Sequence, residues 1–172
     1  MTKKKVKLPP IDPELRGRKV AAFYLEHGPA LFADLIAADA WGARLAGPDV
    51  RHEWDAFTLY ACVRGIVAAG GFNIETAATI DVLHTAVLGV WSASGETAQG
   101  SEPQALISAR YEEYGAIGQA GGASGASTVS RRLGEAAARH LLGTESDPAI
   151  AELAGALHEA LAEAVTAQLR ER

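Results

Sequence analysis

The sequence predicts an all-α fold: a single-domain bundle of about six to seven helices with a central buried antiparallel hairpin and a disordered basic N-terminal arm. Three observations predict it. Alanine dominates a chain with only 6% aromatic residues and few β-branched ones, a balance that favours helix over strand. Gly-Pro and Gly-Gly pairs cut the chain into helix-length pieces. Two neighbouring segments, Ala56–Gly71 and Ala77–Gly95, are apolar almost all the way round a helix, and such helices belong in a protein interior. At 172 residues the chain has the length of one domain and buries roughly two-thirds or more of its unfolded surface.

Residues 1–13 carry Lys3, Lys4, Lys5 and Lys7, then Pro9, Pro10 and Pro13, and read as the disordered arm. The helical domain is expected over 14–172. Its first helix, Glu14–His27, should stop at Gly28-Pro29, with His27 favouring the helix C-terminus. A second, Ala30–Ala46, should end at Gly47-Pro48. Asp49 is the expected N-cap of a third, Val50–Ala69, which Gly70-Gly71 breaks. Asn73 should cap a fourth, Ile74–Ser94, so that the third and fourth form the buried hairpin. Ser101–Gln104 has the form of a capping box opening a fifth, Glu102–Gln119. The Gly/Ser stretch Ala120–Ser127 reads as a hinge before a sixth, Thr128–Leu142. The seventh has Asp147 as N-cap and Pro148 in its first position. Its stripe of Ile150, Leu153, Leu157, Leu161, Val165 and Leu169 is expected to be covered by the bundle or to form a dimer seam.

The net charge of −5 hides an asymmetry: the first nineteen residues carry +5 and the remainder −10. The basic arm could touch nucleic acid, anionic lipid or an acidic partner, and the preferred reading is a solvated tail, because no aromatic residue interleaves with its lysines. No apolar run is long enough to span a membrane and no signal peptide is apparent, so no membrane partner is expected. The single Cys62 makes no intrachain disulfide, and cytoplasmic residence is the expectation.

Within the hairpin, each helix carries few ionisable groups: Arg64 on the first, Asp81 and His84 on the second. With the turn near Gly71, Arg64 and Asp81 differ in depth by only ~4–5 Å at 1.5 Å per residue, which predicts an ion pair, and His84 lies one turn beyond Asp81. Arg110, Tyr111 and Tyr114 of the fifth helix could join them. Two readings follow. The cluster either lines a pocket, where Arg64 binds a small anion and His84 exchanges protons, or it is an interior network that fixes register.

Neither a metal nor a cofactor is expected. Asp81 and His84 make one imperfect half of a helical di-metal site, and His52 with Asp55 has similar spacing in an exposed-looking first turn. Ser127, Thr128, Ser130, Arg131 and Arg132 at the start of the sixth helix could hold an anion. The same residues weakly resemble a helix-turn-helix recognition element, though Val129 falls one position out of register. The chain therefore reads first as a small, non-enzymatic interaction or regulatory module that takes a protein partner or self-associates. An anion-binding pocket protein or enzyme is the alternative, and nucleic-acid binding through the arm and Arg131/Arg132 the second.

Overall fold

The computed structural model describes residues 12–37, 42–45, 49–94, 103–120, 126–143 and 147–171, and within them the protein is a bundle of six helices without a strand. The helices are α1 (Pro13–Ala37), α2 (Val50–Gly70), α3 (Ile74–Ser94), α4 (Pro103–Ala120), α5 (Ala126–Leu142) and α6 (Pro148–Arg170). The lysine-rich arm, residues 1–11, and most of the expected hinge and of the capping-box start lie outside the described residues.

Local chemistry sets several boundaries. Asp12 opens α1 by accepting the amides of Glu14 and Leu15 at 3.0 and 3.2 Å. Asn73 and Asp147 cap α3 and α6 as expected, Asn73 Oδ1 taking the Thr76 amide and Asp147 Oδ1 those of Ala149 and Ile150. Asp49 precedes α2 but its side chain accepts no capping bond. Gly71, at φ 76°, ends α2 in a backbone conformation that favours glycine.

The expected break at Gly28-Pro29 does not occur, and α1 runs through it to Ala37. Proline deletes one backbone donor and crowds the preceding turn. Beyond it, however, Leu31, Phe32 and Leu35 pack on the Trp54 end of the core, and this burial holds the turn helical. Residues 30–37 therefore continue α1 instead of opening a separate second helix, and Gly42–Leu45 forms a turn that buries Leu45.

The α2–α3 hairpin forms, with unequal arms. Helix α2 is buried nearly all round and touches all five others. Helix α3 buries only Thr76, Thr79, Leu83 and Val87, and it leans mainly on α1, running in the same direction: Gly17 meets Thr79 and Val82, and Tyr24 meets Trp91. Helix α6 crosses both halves of the core, its expected apolar stripe turned onto Leu133 and Phe57 at one end and onto Leu59 and Ile66 at the other. Glycines let backbones meet where α6 packs. A methyl group on Gly134 would stand 2.0 Å from the Ala151 carbonyl oxygen, and one on Gly65 would stand 2.6 Å from that of Ala162.

Candidate functional site

The predicted pair of Arg64 and Asp81 is not made. Arg64 reaches away from α3 to α6, where Nη1 donates to Glu159 Oε2 at 3.3 Å, and Asp81 lies exposed in a shallow depression beside Glu14 and Arg18. Spacing along the hairpin speaks to depth and leaves the rotation of each helix open. With Leu83 facing the core, Asp81 two residues earlier points about 200° away, into solvent. His84, one residue past Leu83, stays on the flank, and its Nε2 lies 2.9 Å from Tyr111 Oη. Burial lowers the His84 pKa, and Asp81 one turn back opposes the shift.

Two of the six predicted pocket residues, Tyr111 and Tyr114, pack on the ring of Tyr60, which the sequence reasoning passed over, with Arg64 one turn along α2 and His84 reached through Tyr111. Tyr60 lies 5.1 Å from Tyr111 and 5.5 Å from Tyr114 by ring centroid, and Tyr111 links on to His84. Burial raises the Tyr60 hydroxyl pKa and Arg64, one turn on, opposes the shift. That i, i+4 spacing was the available signal. Arg110 joins a different partner, donating through Nε and Nη2 to both oxygens of Glu53 at 2.6 Å. This bidentate bond, followed by a smaller opposing effect of burial, raises the guanidinium pKa. The fully buried His158 rests 4.6 Å from the Phe57 ring and 5.8 Å from that of Tyr60. Burial drops its pKa to about 3, so it is neutral at neutral pH.

The open feature of this face is a groove along the outer side of α6. Between α5 and α6 it has a volume of about 870 Å³, over a floor of Ala151, Gly155 and Ala156. Beyond Glu159 it continues between α2 and α6 for a further 410 Å³ or so, past Arg64 and Ala68 to Arg170. The α6 residues lining it run from Pro148 to Arg170, about 33 Å of helix. Charge is unevenly divided across it: helix α6 supplies Glu152, Glu159 and Glu163, with Arg170 at its far end, whereas Arg131 and Arg139 stand with Glu135 on the α5 wall and Arg64 on the α2 wall. Past the Arg170 end, where Arg170 Nη2 donates to the Ala68 carbonyl, the α2–α3 turn holds Phe72 and Ile74 at 94% and 80% exposure.

The expected anion site at the start of α5 opens onto this groove. Ser130 donates its hydroxyl to Glu159, and Arg131 pairs with Glu135 one turn on, at 3.7 Å. Arg132 is exposed, Thr128 is half-buried, and the side chain of Ser127 lies outside the described residues. Glu135, Glu152, Glu159 and Glu163 line the groove beside Ser130 and Arg131, and they oppose a phosphate or a nucleic-acid backbone there. No helix among the described residues is long and apolar enough to cross a membrane, and no cluster of three or more His, Cys, Asp or Glu side chains is gathered there for a metal. Set against protein-family models, curated proteins and solved structures, the chain finds no match in any of the three.

Proposed function

We propose that this protein is a small helical self-association module of the cytoplasm, two copies docking antiparallel along their α6 grooves. The three carboxylates of α6 facing arginines on the α5 and α2 walls carry the reading. A two-fold interface places one surface against itself, so it is favourable only when each charge meets its opposite after rotation. A two-fold axis through Glu159, the midpoint of the groove, does this for the flanking charges, while the two Glu159 carboxylates that meet on the axis are each held by Arg64 and Ser130 of their own copy. Glu163 of one copy falls opposite Gly155 of the other, whose backbone lies beside Arg131. Glu152 falls opposite Thr166, which hydrogen-bonds the Gly65 carbonyl next to Arg64. Arg170 falls opposite Pro148, bringing the exposed Phe72 to the wide end of the partner's groove. Helix α6 already spends its apolar stripe on the bundle, so the dimer uses its small-residue face, where backbones approach closely. A chain with one buried, unpaired thiol suits the reducing cytoplasm.

Sedimentation equilibrium from about 1 to about 100 µM tests the reading, since a modest interface dissociates on the order of micromolar. The mass should rise with concentration from the 18.0 kDa of one chain towards twice that value. Glu163→Arg and Arg131→Glu should each weaken the dimer, and the two together in one chain should restore it. A monomer at every concentration refutes the proposal, as does a double exchange that fails to recover what the singles lose.

A further inference from the structure

A second, more enclosed cavity of about 230 Å³ lies on a different part of the bundle, lined by Arg51, His52 and Asp55 of α2, Trp91 of α3 and Pro103 at the start of α4. It does not involve the α6 groove. Its polar groups are built in. The Asp55 carboxylate is buried and takes the Arg51 Nε at 3.0 and 2.9 Å on its two oxygens, and Tyr24 of α1 donates from behind at 3.4 Å. The Arg51 guanidinium is stacked 5.2 Å from the centre of the Phe32 ring. Held by its Nε and by that stack, it makes no hydrogen bond through its two terminal nitrogens among the described residues, and the neighbouring His52 ring makes none either. Two fixed donors in a fork, in a cavity that Trp91 also lines, are the geometry that receives a planar carboxylate with an apolar body.

We propose that this cavity binds a small flat monocarboxylate, its carboxylate on the terminal nitrogens of Arg51 and on His52, and its apolar body against Trp91. The volume holds roughly seven waters' worth of space, below the usual range for drug-sized ligands, and so selects a molecule the size of a substituted benzene ring. Asp55 gives the site a pH dependence. The titratable groups facing its carboxylate are Arg51 and His52 on its own helix and Tyr24 on α1. Burial raises its pKa to about 6 against the pull of Arg51. An ionised Asp55 repels a second carboxylate and competes for the guanidinium, so protonating it strengthens anion binding.

The test is a titration of the folded protein with sodium benzoate, followed by the NMR signal of the Trp91 indole N–H, identified by its loss in Trp91→Phe. Benzamide and benzylammonium serve as neutral and cationic counterparts. Benzoate should saturate with a Kd on the order of a millimolar, and its affinity should rise about fivefold or more from about pH 7.5 to about pH 5.5. Arg51→Gln should abolish binding. Should that variant melt early, His52→Ala, outside every described hydrogen bond, should weaken binding about threefold. A Trp91 signal unmoved at about ten times the expected Kd overturns the proposal, and so does benzamide or benzylammonium binding as tightly as benzoate.

Discussion

Replacing Gly134 by alanine sets two known effects against each other at one position. In an exposed helix interior the exchange stabilises by about 1 kcal/mol through helix propensity. Here the added methyl would stand 2.0 Å from the Ala151 carbonyl oxygen and 2.8 Å from the Gly155 amide nitrogen. Both are backbone atoms, so no rotamer change relieves the clash. Reaching an ordinary 3.4 Å separation requires α5 to move off α6 by about 1.4 Å. That shift would loosen Leu133, Ala136 and Ala137, all buried against α6. Overpacking of this kind costs ~1–3 kcal/mol, and the rigid partner puts the cost at the upper end or beyond, so the propensity gain is outweighed. The expected net loss is about 2 kcal/mol, a fall in Tm of roughly 4–8 °C for a chain of this length. Gly89→Ala in the middle of α3 is the control, because its methyl meets nothing within 4 Å. It should stabilise by ~0.5–1 kcal/mol. Urea unfolding followed by far-UV circular dichroism reads both. A Gly134→Ala protein as stable as the native chain would refute the close-packed contact between α5 and α6.

Two further outcomes follow from buried ionisable groups. Asp55, raised from 3.8 to about 6, binds its proton more tightly folded than unfolded, so its contribution to stability grows as pH falls from 6 towards 4. His158, depressed from 6.5 to about 3, works the other way, since the unfolded chain takes up its proton first and stability is lost as pH falls below 6.5. Between about pH 4 and 6 the two nearly cancel, and thermal melts of the native protein should show little slope from them. Asp55→Asn removes one side of the balance and should expose a loss of ~1.4 kcal/mol per pH unit below pH 6; an unchanged profile would contradict it. The Cys62 thiol, fully buried and pushed up to about 12, should not react with Ellman's reagent until denaturant unfolds the chain, whereas prompt labelling of native protein would place it outside the core.

How much of the site was legible in the sequence depended on whether one helix or two decided the outcome. Asn73 and Asp147 cap their helices as read, because a cap is settled within four residues. Arg64 was rightly singled out as a cation with few local partners, yet its carboxylate came from Glu159, 95 residues away. By sequence His52 and Asp55 sit in an exposed-looking first turn, yet Asp55 is buried. Nothing within α2 reveals that Tyr24, Phe32 and Trp91 arrive from α1 and α3 to enclose it.

By itself the sequence determined the all-helical class, most of the helix boundaries and the apolar stripe that α6 gives to the core, since periodicity and punctuation act over one or two turns. Tertiary structure alone decided that α1 continues through Pro29, that Asp81 faces water and that α6 leaves a charge-divided groove. Each of these depends on the rotation of a helix about its own axis and on the neighbour it meets. Those quantities are fixed by the packing of the whole core rather than by any run of residues within it.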